Sequence, residues 1–348
     1  MDADNTDKTG PKAARKSHSR SVTMKAVGRL AGVSQVTVSR ALSDPSKVSP
    51  ETLAKIREAI KVTGFVPNAL AGALASNRSK LISALVPSIT NIVYAAMVKS
   101  FSDEMRGHGY EILLSETGFA PQEEQKLIAA HLSRRPDAVL LTGINHSAEA
   151  RKMLLGADIP VIELWDITDS PIDLCVGFSH VETARAVADF AHEAGYRRAG
   201  TITAGDERAL RRKSAFTERF AKLTGSKVLA YDVKGPASIE GGRRGLADLI
   251  DHQGFESGVV FCSSDLMAHG AVVEAHVRGI RIPQEIAIIG FGDQDFARHI
   301  QPALTTVRID REALGRKAAE ALLARLEATG TPENVIDLGF EIIRRDSA

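Results

Sequence analysis

Residues 23–42, TMKAVGRLAGVSQVTVSRAL, set two short helical patterns on either side of a glycine, and this pair constrains the fold more than any other feature of the chain. Thr23 is a capping residue type, and Val27, Leu30 and Ala31 recur at three- and four-residue spacings that align at 3.6 residues per turn. Gly32 stops the first helix and Val33 fills the turn. Ser34 suits the N-cap of a second helix whose inward residues are expected to be Val38, Ala41 and Leu42. The opposite face carries Gln35, Val36, Thr37, Ser39 and Arg40. In a helix-turn-helix the first turn of the second helix enters the major groove, where amide and guanidinium groups match base edges. Gln35, Val36 and Arg40 are therefore expected to read bases, Val36 by apolar contact with a group such as a thymine methyl. Thr37 and Ser39 suit phosphates, and Thr23 and Ser34 are counted at the same DNA-binding face.

A generic helix hairpin shares this outline, but the next segment favours the nucleic-acid reading. Ser49-Pro50 opens a third helix with a cap and a first-turn proline, Leu53, Ile56 and Ile60 supply its apolar stripe, and Gly64 ends it. Between residues 22 and 76 there are seven Lys or Arg (25, 29, 40, 47, 55, 57, 61) and three acids (44, 51, 58), a local net of +4 in a chain whose total is +1. That asymmetry suits a phosphate backbone.

The stretch 66–76, VPNALAGALAS, has Asn68 as a possible cap and helix-favouring alanines, but it spans only a few turns and contains Gly72. Isolated helices of fewer than roughly 12 residues are marginal in water. It reads either as a simple linker or as a hinge helix that orders when two copies pack on DNA, with Leu74 placed to wedge into a minor-groove step.

The 348 residues allow a small head and a body of roughly 270 residues, enough for two lobes with real cores. Residues 1–21 mix Asp2, Asp4, Asp7, Lys8, Lys12, Lys16 and Arg20 with small polar neighbours and read as a disordered tail without the apolar core of a signal peptide. No run approaches the 18 or more apolar residues of a membrane span, so a cytoplasmic location is expected. Cys175 and Cys262 are far apart and lack metal-ligating neighbours, which predicts reduced core residues and no metal.

From Leu81 onward, apolar runs alternate with amphipathic segments. Strands are expected over 81–86, 111–114, 138–141 and 161–164, and helices over 92–107, 122–134 and 148–155. A second series, from about Val181, has strands over 199–203, 227–231, 258–262 and 286–290. This rhythm predicts an α/β fold of two doubly wound parallel sheets, with a ligand cleft at the carboxyl ends of the strands. The expected organisation is a tail (1–21), a head (22–66), a hinge and linker (67–80) and an effector-binding and dimerisation body (81–345). Its first lobe takes in about 81–178 and 307–330, its second about 179–304 and 335–345.

Several polar residues follow strand ends. Asn91 and Tyr94 lie beyond the first strand, Glu163 and Asp166 at and after the fourth, and Phe178-Ser179-His180 near the crossing to the second lobe. Arg208, Arg211 and Arg212 follow Gly205-Asp206-Glu207, Asp265 closes Ser263-Ser264-Asp265, and Asp293 follows Gly292. Asn91, Tyr94, Glu163, Asp166, Arg208, Arg212, Asp265 and Asp293 form the expected effector site, since carboxylates and guanidinium groups bind adjacent hydroxyls strongly. Asp265 is equally suited to cap the helix that begins at Leu266, and one of the three arginines is expected to face solvent.

The string VTMKAVGRLAGVSQVTVSRAL, the spacing to SPET, and GFVPNALAGALA resemble the head and hinge of the lactose-repressor family of bacterial regulators. The resemblance covers about residues 22–345 and implies a three-helix head, a hinge helix and a body like a periplasmic binding protein. It also implies that positions matching Gln35, Val36 and Arg40 touch operator bases and that the hinge leucine matching Leu74 enters the central minor-groove step. Gln35-Val36 stands where family members commonly carry a tyrosine or an alanine and then a threonine. Arg212-Lys213-Ser214-Ala215-Phe216 matches the family's sugar-contacting arginine segment, with Ala215 in place of the usual glycine, and Asp265 matches its acidic cleft residue. PVIELWD (160–166), LCVGF (174–178), DER (206–208) and LGF (338–340) look like the gluconate-operon repressor branch, which implies a sugar acid or a phosphorylated relative as effector.

The resulting expectation is a homodimeric repressor on a two-fold symmetric operator, released by its effector, with corepressor logic and a tetramer left open by the same parts. Rival readings fit less well. A periplasmic sugar-binding component would carry an export signal and no basic head. An enzyme would need a phosphate loop, a nucleophile elbow or clustered ligands, whereas His146, His180, His192, His269, His276 and His299 are scattered.

Overall fold

The computed structural model describes residues 22–66, 78–330 and 333–348. They form two units, a head within residues 1–79 and a body over residues 80–348, each considered on its own below. The expected tail and most of the hinge, with Asn68 and Leu74, lie outside the described residues.

The head is built from α1 (Met24–Ala31), α2 (Gln35–Ser43) and α3 (Pro50–Thr63). Each start is capped: the side chains of Thr23, Ser34 and Ser49 accept from the backbone amides of Ala26, Thr37 and Thr52. Gly32 and Gly64 close α1 and α3 in the left-handed conformation. Val27, Ala31, Val38, Ala41, Ile56, Ala59 and Phe65 form the core. Gly28 permits the tight turn, because a Cβ there would sit 2.8 Å from the carbonyl oxygen of Val33. Two expected core residues, Leu30 and Leu42, are exposed instead. In α1 the buried stripe centres on Val27, Gly28 and Ala31, and position 30 points about 100° away from it.

The body contains two six-stranded sheets. The first comprises β1 (Leu81–Val86), β2 (Glu111–Glu116), β3 (Ala138–Thr142), β4 (Val161–Leu164), β5 (Leu174–Gly177) and β11 (Val335–Asp337), in the order β11-β5-β4-β3-β1-β2. Every pairing in it is parallel. The second comprises β6 (Ala199–Thr203), β7 (Leu229–Asp232), β8 (Gly258–Cys262), β9 (Ile286–Phe291), β10 (Thr305–Arg308) and β12 (Glu341–Ile343), in the order β12-β10-β9-β8-β6-β7. Only β12 runs antiparallel to its neighbour. Central strands such as β4, β5, β6 and β9 are buried along their whole length, whereas the edge strands β2 and β7 are not. Helices covering both faces explain that difference.

The first sheet carries α4 (Ile92–Gly107), α5 (Pro121–Leu132), α6 (Ala148–Gly156) and α11 (Arg311–Glu327), the last tied to α4 by a 2.8 Å bond from Ser100 Oγ to the Glu312 carbonyl. The second carries α7 (His180–Glu193), α8 (Glu207–Thr224), α9 (Ile239–Asp251) and α10 (Asp265–Val277). Phe101, Met105, Tyr110, Phe216 and Phe220 are among the large buried side chains, and burying a Phe or Met contributes about 2 kcal/mol.

The division into lobes departs from the expected one in three places. β10 keeps residues 305–308 in the second sheet, β11 returns residues 335–337 to the first, and the body extends past residue 345. Ser347 is fully buried and donates from Oγ to the Ile288 carbonyl at 2.6 Å. The chain thus crosses between sheets three times, after β5, β10 and β11, as many times as expected but with the last two crossings displaced by a few residues. Both cysteines are free and buried, and no helix among the described residues is long and apolar enough to cross a membrane.

Candidate functional site

The DNA face of the head follows from its caps. Ser34 Oγ accepts from the Thr37 amide at 3.1 Å and lies 2.9 Å from Thr37 Oγ1, so both side chains fix the start of α2. Gln35, Val36, Ser39 and Arg40 remain exposed, Val36 at 66%. The first turn of α2 contains no acid, and with the Thr37 amide taken by Ser34 the amides of Gln35 and Val36 and the positive dipole end carry no side-chain anion. Arg40 forms no ion pair among the described residues, so its guanidinium is available to a partner.

In the body a cavity of about 440 Å³ lies between the sheets, a usual size for a small-molecule site. The first lobe supplies Asn91 and Tyr94 from the start of α4 and Trp165 from the end of β4, and the second supplies Arg208 and Arg212 from α8, Ser263 and Ser264 after β8, and Phe291 and Gln294 after β9. Asn91 caps α4, its Oδ1 accepting from the Val93 amide at 3.0 Å, which turns the helix start and Tyr94 toward the cavity.

Arg212 is the centre of the site. It is 5% exposed, donates through Nη1 to His180 Nδ1 at 2.8 Å and through Nη2 to the Ser263 carbonyl at 3.1 Å, and lies 4.0 Å from the Phe291 ring centroid. Its Nε has no partner, and no carboxylate bonds to it among the described residues. Burial lowers its pKa to about 10, so it still carries its charge at neutral pH. His180 bridges the lobes, since its Nε2 lies 3.0 Å from the Trp165 carbonyl. A guanidinium can only donate, so Nδ1 accepts and Nε2 carries the proton. Burial and the charges of Arg212, Arg208 and Arg211 hold His180 well below the usual histidine range, consistent with that neutral tautomer.

Arg208 and Arg211 also cross between lobes. Arg208, 7% exposed, donates through Nη2 to Tyr94 Oη at 3.0 Å, while its Nη1 has no partner. Arg211 pairs with Asp166 and with Glu207. Burial pushes the Tyr94 hydroxyl upward, keeping it neutral. Trp165 holds a left-handed backbone (φ 70°) and packs edge-on against Tyr94 and Phe178.

Of the eight expected effector contacts, Asn91, Tyr94, Arg208 and Arg212 line the cavity and the four acids do not. Asp166 is consumed by Arg211; burial raises its pKa against the pull of that arginine. Glu163 is fully buried in the first lobe, accepting from the Ile172 amide at 2.6 Å and lying 3.3 Å from His146 Nε2. His146 Nδ1 is 2.9 Å from Glu124, and although burial opposes its charge, the two glutamates raise it to about 9. Asp265 lies behind the cavity wall, accepting from Thr306 Oγ1 at 2.5 Å and the Gln294 amide at 2.7 Å; burial pushes it up to about 6. Ser264, not Asp265, caps α10. Asp293 is held by Arg308 at 2.7 Å and Arg345 at 2.6 Å; burial opposes its ionisation, and the two arginines keep it below the usual range. A buried carboxylate takes the nearest cation or amide, and strand-end position does not reveal which one that is. Trp165, Phe291 and Gln294 were missed as contacts, although Trp165 directly follows β4, Phe291 ends β9 and Gln294 lies three residues beyond it. Among the described residues no group of acids, histidines and cysteines is arranged to hold a metal.

Comparison with known proteins places these two sites in one context. Residues 23–68 match the bacterial regulatory proteins of the lacI family, and residues 188–348 match the periplasmic binding protein-like domain. The HTH-type transcriptional regulator GntR of Pseudomonas aeruginosa is 35% identical over 330 residues, covering 93% of this chain and 95% of the relative. The HTH-type transcriptional regulator GntR of Escherichia coli K12 is 32% identical over 315 residues, covering 89% and 94%. A crystal structure of a LacI-family transcriptional regulator from Silicibacter pomeroyi superposes with a TM-score of 0.88 at 33% identity, covering 94% of this chain and 99% of that one.

Proposed function

Because the chain belongs to the lacI family of bacterial regulatory proteins, and is a DNA-binding transcriptional regulator and not an enzyme, we propose that it represses genes for the use of a sugar acid and is released from its operator when that acid enters the cleft. The observation that carries this reading is Arg212, a buried cation with an unpartnered Nε and no bonded carboxylate among the described residues. Such a charge is costly without a counter-ion, so an anionic ligand recovers what a neutral sugar would not. Tyr94, Asn91, Ser263 and Ser264 supply hydroxyl-matching groups around it. Gluconate or a phosphorylated relative has this combination of charge and hydroxyls.

The protein acts as a cytoplasmic homodimer in this reading. Each head places Gln35, Val36 and Arg40 in one half-site of a two-fold symmetric operator, with Thr37 and Ser39 toward phosphates. In the same reading the expected hinge (67–80) meets its partner copy in the central minor groove, with Leu74 as the wedge. Ligand that stabilises the lobe-bridging contacts changes the spacing of the two hinges and so shifts the DNA-bound population. Fluorescence anisotropy on an operator selected in vitro from random duplexes tests the proposal. Added gluconate is expected to weaken binding at least tenfold, and an unchanged affinity up to millimolar gluconate would remove it as the effector.

A further inference from the structure

Three arginines from separate segments converge on Asp293, in the loop that follows β9. Arg308, the last residue of β10, donates through Nε to Oδ2 at 2.7 Å, and Arg345, two residues beyond β12, donates through Nη2 to Oδ1 at 2.6 Å. Arg311, the first residue of α11, donates through Nη2 to the Asp293 carbonyl at 3.3 Å. These segments flank two of the crossings, since β10 leads into α11 of the first lobe and β11 leads back into β12 of the second. One carboxylate therefore fastens the places where the chain leaves the second lobe and returns to it. Exposed ion pairs contribute little, but the side chains of Asp293 and Arg345 are 9% and 14% exposed, so water screens this pair weakly.

The same loop forms part of the cavity wall. Phe291 and Gln294, on either side of Gly292-Asp293, line the cavity. Asp265 holds the Gln294 amide and accepts from Thr306 Oγ1 of β10, and that hydroxyl in turn accepts from the Asp293 amide at 3.4 Å. On the other side, a Cβ on Gly292 would lie 3.7 Å from Val93 Cγ2, on α4 of the first lobe. Helix α4 packs on α11 so closely that a Cβ on Gly315 would sit 2.4 Å from the Met97 carbonyl oxygen. The loop thus meets the cavity, both crossings and the amino ends of two first-lobe helices. Asp293 also holds a left-handed backbone (φ 43°), which a residue other than glycine keeps where its surroundings impose it.

Resting on the effector-release reading above, we propose that Asp293 is the positioning residue that couples the lobes, latching the cavity loop to the crossings so that a ligand against Phe291 and Gln294 shifts α4 and α11. Cutting such a connection spares the sites at its two ends and removes the coupling between them. The test compares the full-length wild-type protein with Asp293→Asn, which keeps the size and the tolerance of left-handed backbone but loses the charge. Arg308→Ala, at a half-exposed side chain, removes one of the two ion pairs and carries the test if the first variant does not fold. Gluconate affinity is read from Trp165, the only tryptophan in the chain and a cavity residue. Operator affinity is read by anisotropy with and without gluconate, and backbone amide exchange by mass spectrometry.

Asp293→Asn is expected to bind gluconate, and operator without gluconate, within about threefold of the wild type, while the effect of gluconate on operator affinity falls from tenfold or more to less than twofold. Without ligand, amides in 290–295 and 305–314 are expected to exchange at least tenfold faster, with those of β4 and β8 unchanged. Arg308→Ala is expected to lie between the two proteins in both respects. Undiminished coupling, ligand-free exchange like that of the wild type, or faster exchange spread over both sheets in both variants overturns the latch. If gluconate does not act on the wild-type protein, the sugar-acid reading falls by itself, and the ligand-free exchange alone decides for or against the latch.

Discussion

Each lobe of the body buries one histidine beside a cluster of charges, and the two clusters have opposite character. In the first lobe His146 sits between Glu124 and Glu163 and is held protonated by them, so its charge is more than offset within the protein. In the second lobe His180 sits among arginines, is held neutral, and leaves Arg212 without an anion. The first cluster binds the loop after β3 to α5 and β4. The second faces the cavity with unsatisfied donors on Arg208 and Arg212. The same residue type in the same sort of burial is thus a protonated clamp in one place and a neutral partner of an unmatched arginine beside the cavity in the other, and the sign of its neighbours decides which.

The comparison breaks most directly at Glu163. Glu163→Gln leaves His146 with one partner in a dry interior and is expected to lower unfolding free energy by about 3 kcal/mol, measured by urea titration, with gluconate affinity changed less than twofold. A loss of gluconate binding without a loss of stability would place Glu163 in the ligand site after all. Arg212→Met tests the opposite cluster. It is expected to weaken gluconate about a hundredfold, or about 2.7 kcal/mol, with the melting temperature unchanged or raised because an unmatched buried charge has been removed. Intact gluconate binding in that variant would show that the arginine is structural.

The third effect is smaller and depends on pH. The folded protein holds the His146 proton to about pH 9, whereas an unfolded histidine releases it near 6.5. The stabilisation is therefore complete below about pH 6.5 and is lost as pH rises toward 9, on the order of 2 kcal/mol across that window. Thermal melts at pH 6.5 and 9 read it, and Glu163→Gln should flatten the profile. Asp265, raised to about 6, finishes titrating at the low edge of this window and contributes only a small part of the change across it.

The head and the strands were legible early because their signals are local. Thr23, Ser34 and Ser49 cap the helices that their sequence positions announce, and the alternation of apolar runs with amphipathic segments marks the parallel sheets. Leu30 and Leu42 show where local reading ends, since an apolar side chain on a two-turn helix can point away from a core that only the third helix defines. In the cleft, Arg208 and Arg212 were found because they follow a strand end, but the four acids chosen by the same rule went elsewhere. Asp166, Asp265 and Asp293 each meet a cation or a hydroxyl some 40 or more residues away in sequence, and Glu163 meets His146 and the Ile172 amide from neighbouring loops.

What the sequence determined by itself was the set of elements and the chemistry available at their ends, because caps, periodicity and turn residues act over a few positions. Which charges cancel and which stay open was decided only in the tertiary structure, where packing within the first lobe brought residues 124, 146 and 163 together and the crossing after β5 brought 94 and 165 of that lobe to 208 and 212 of the other at the cavity. Electrostatic pairing in a dry interior depends on distances of a few ångströms, and no spacing along the chain encodes them.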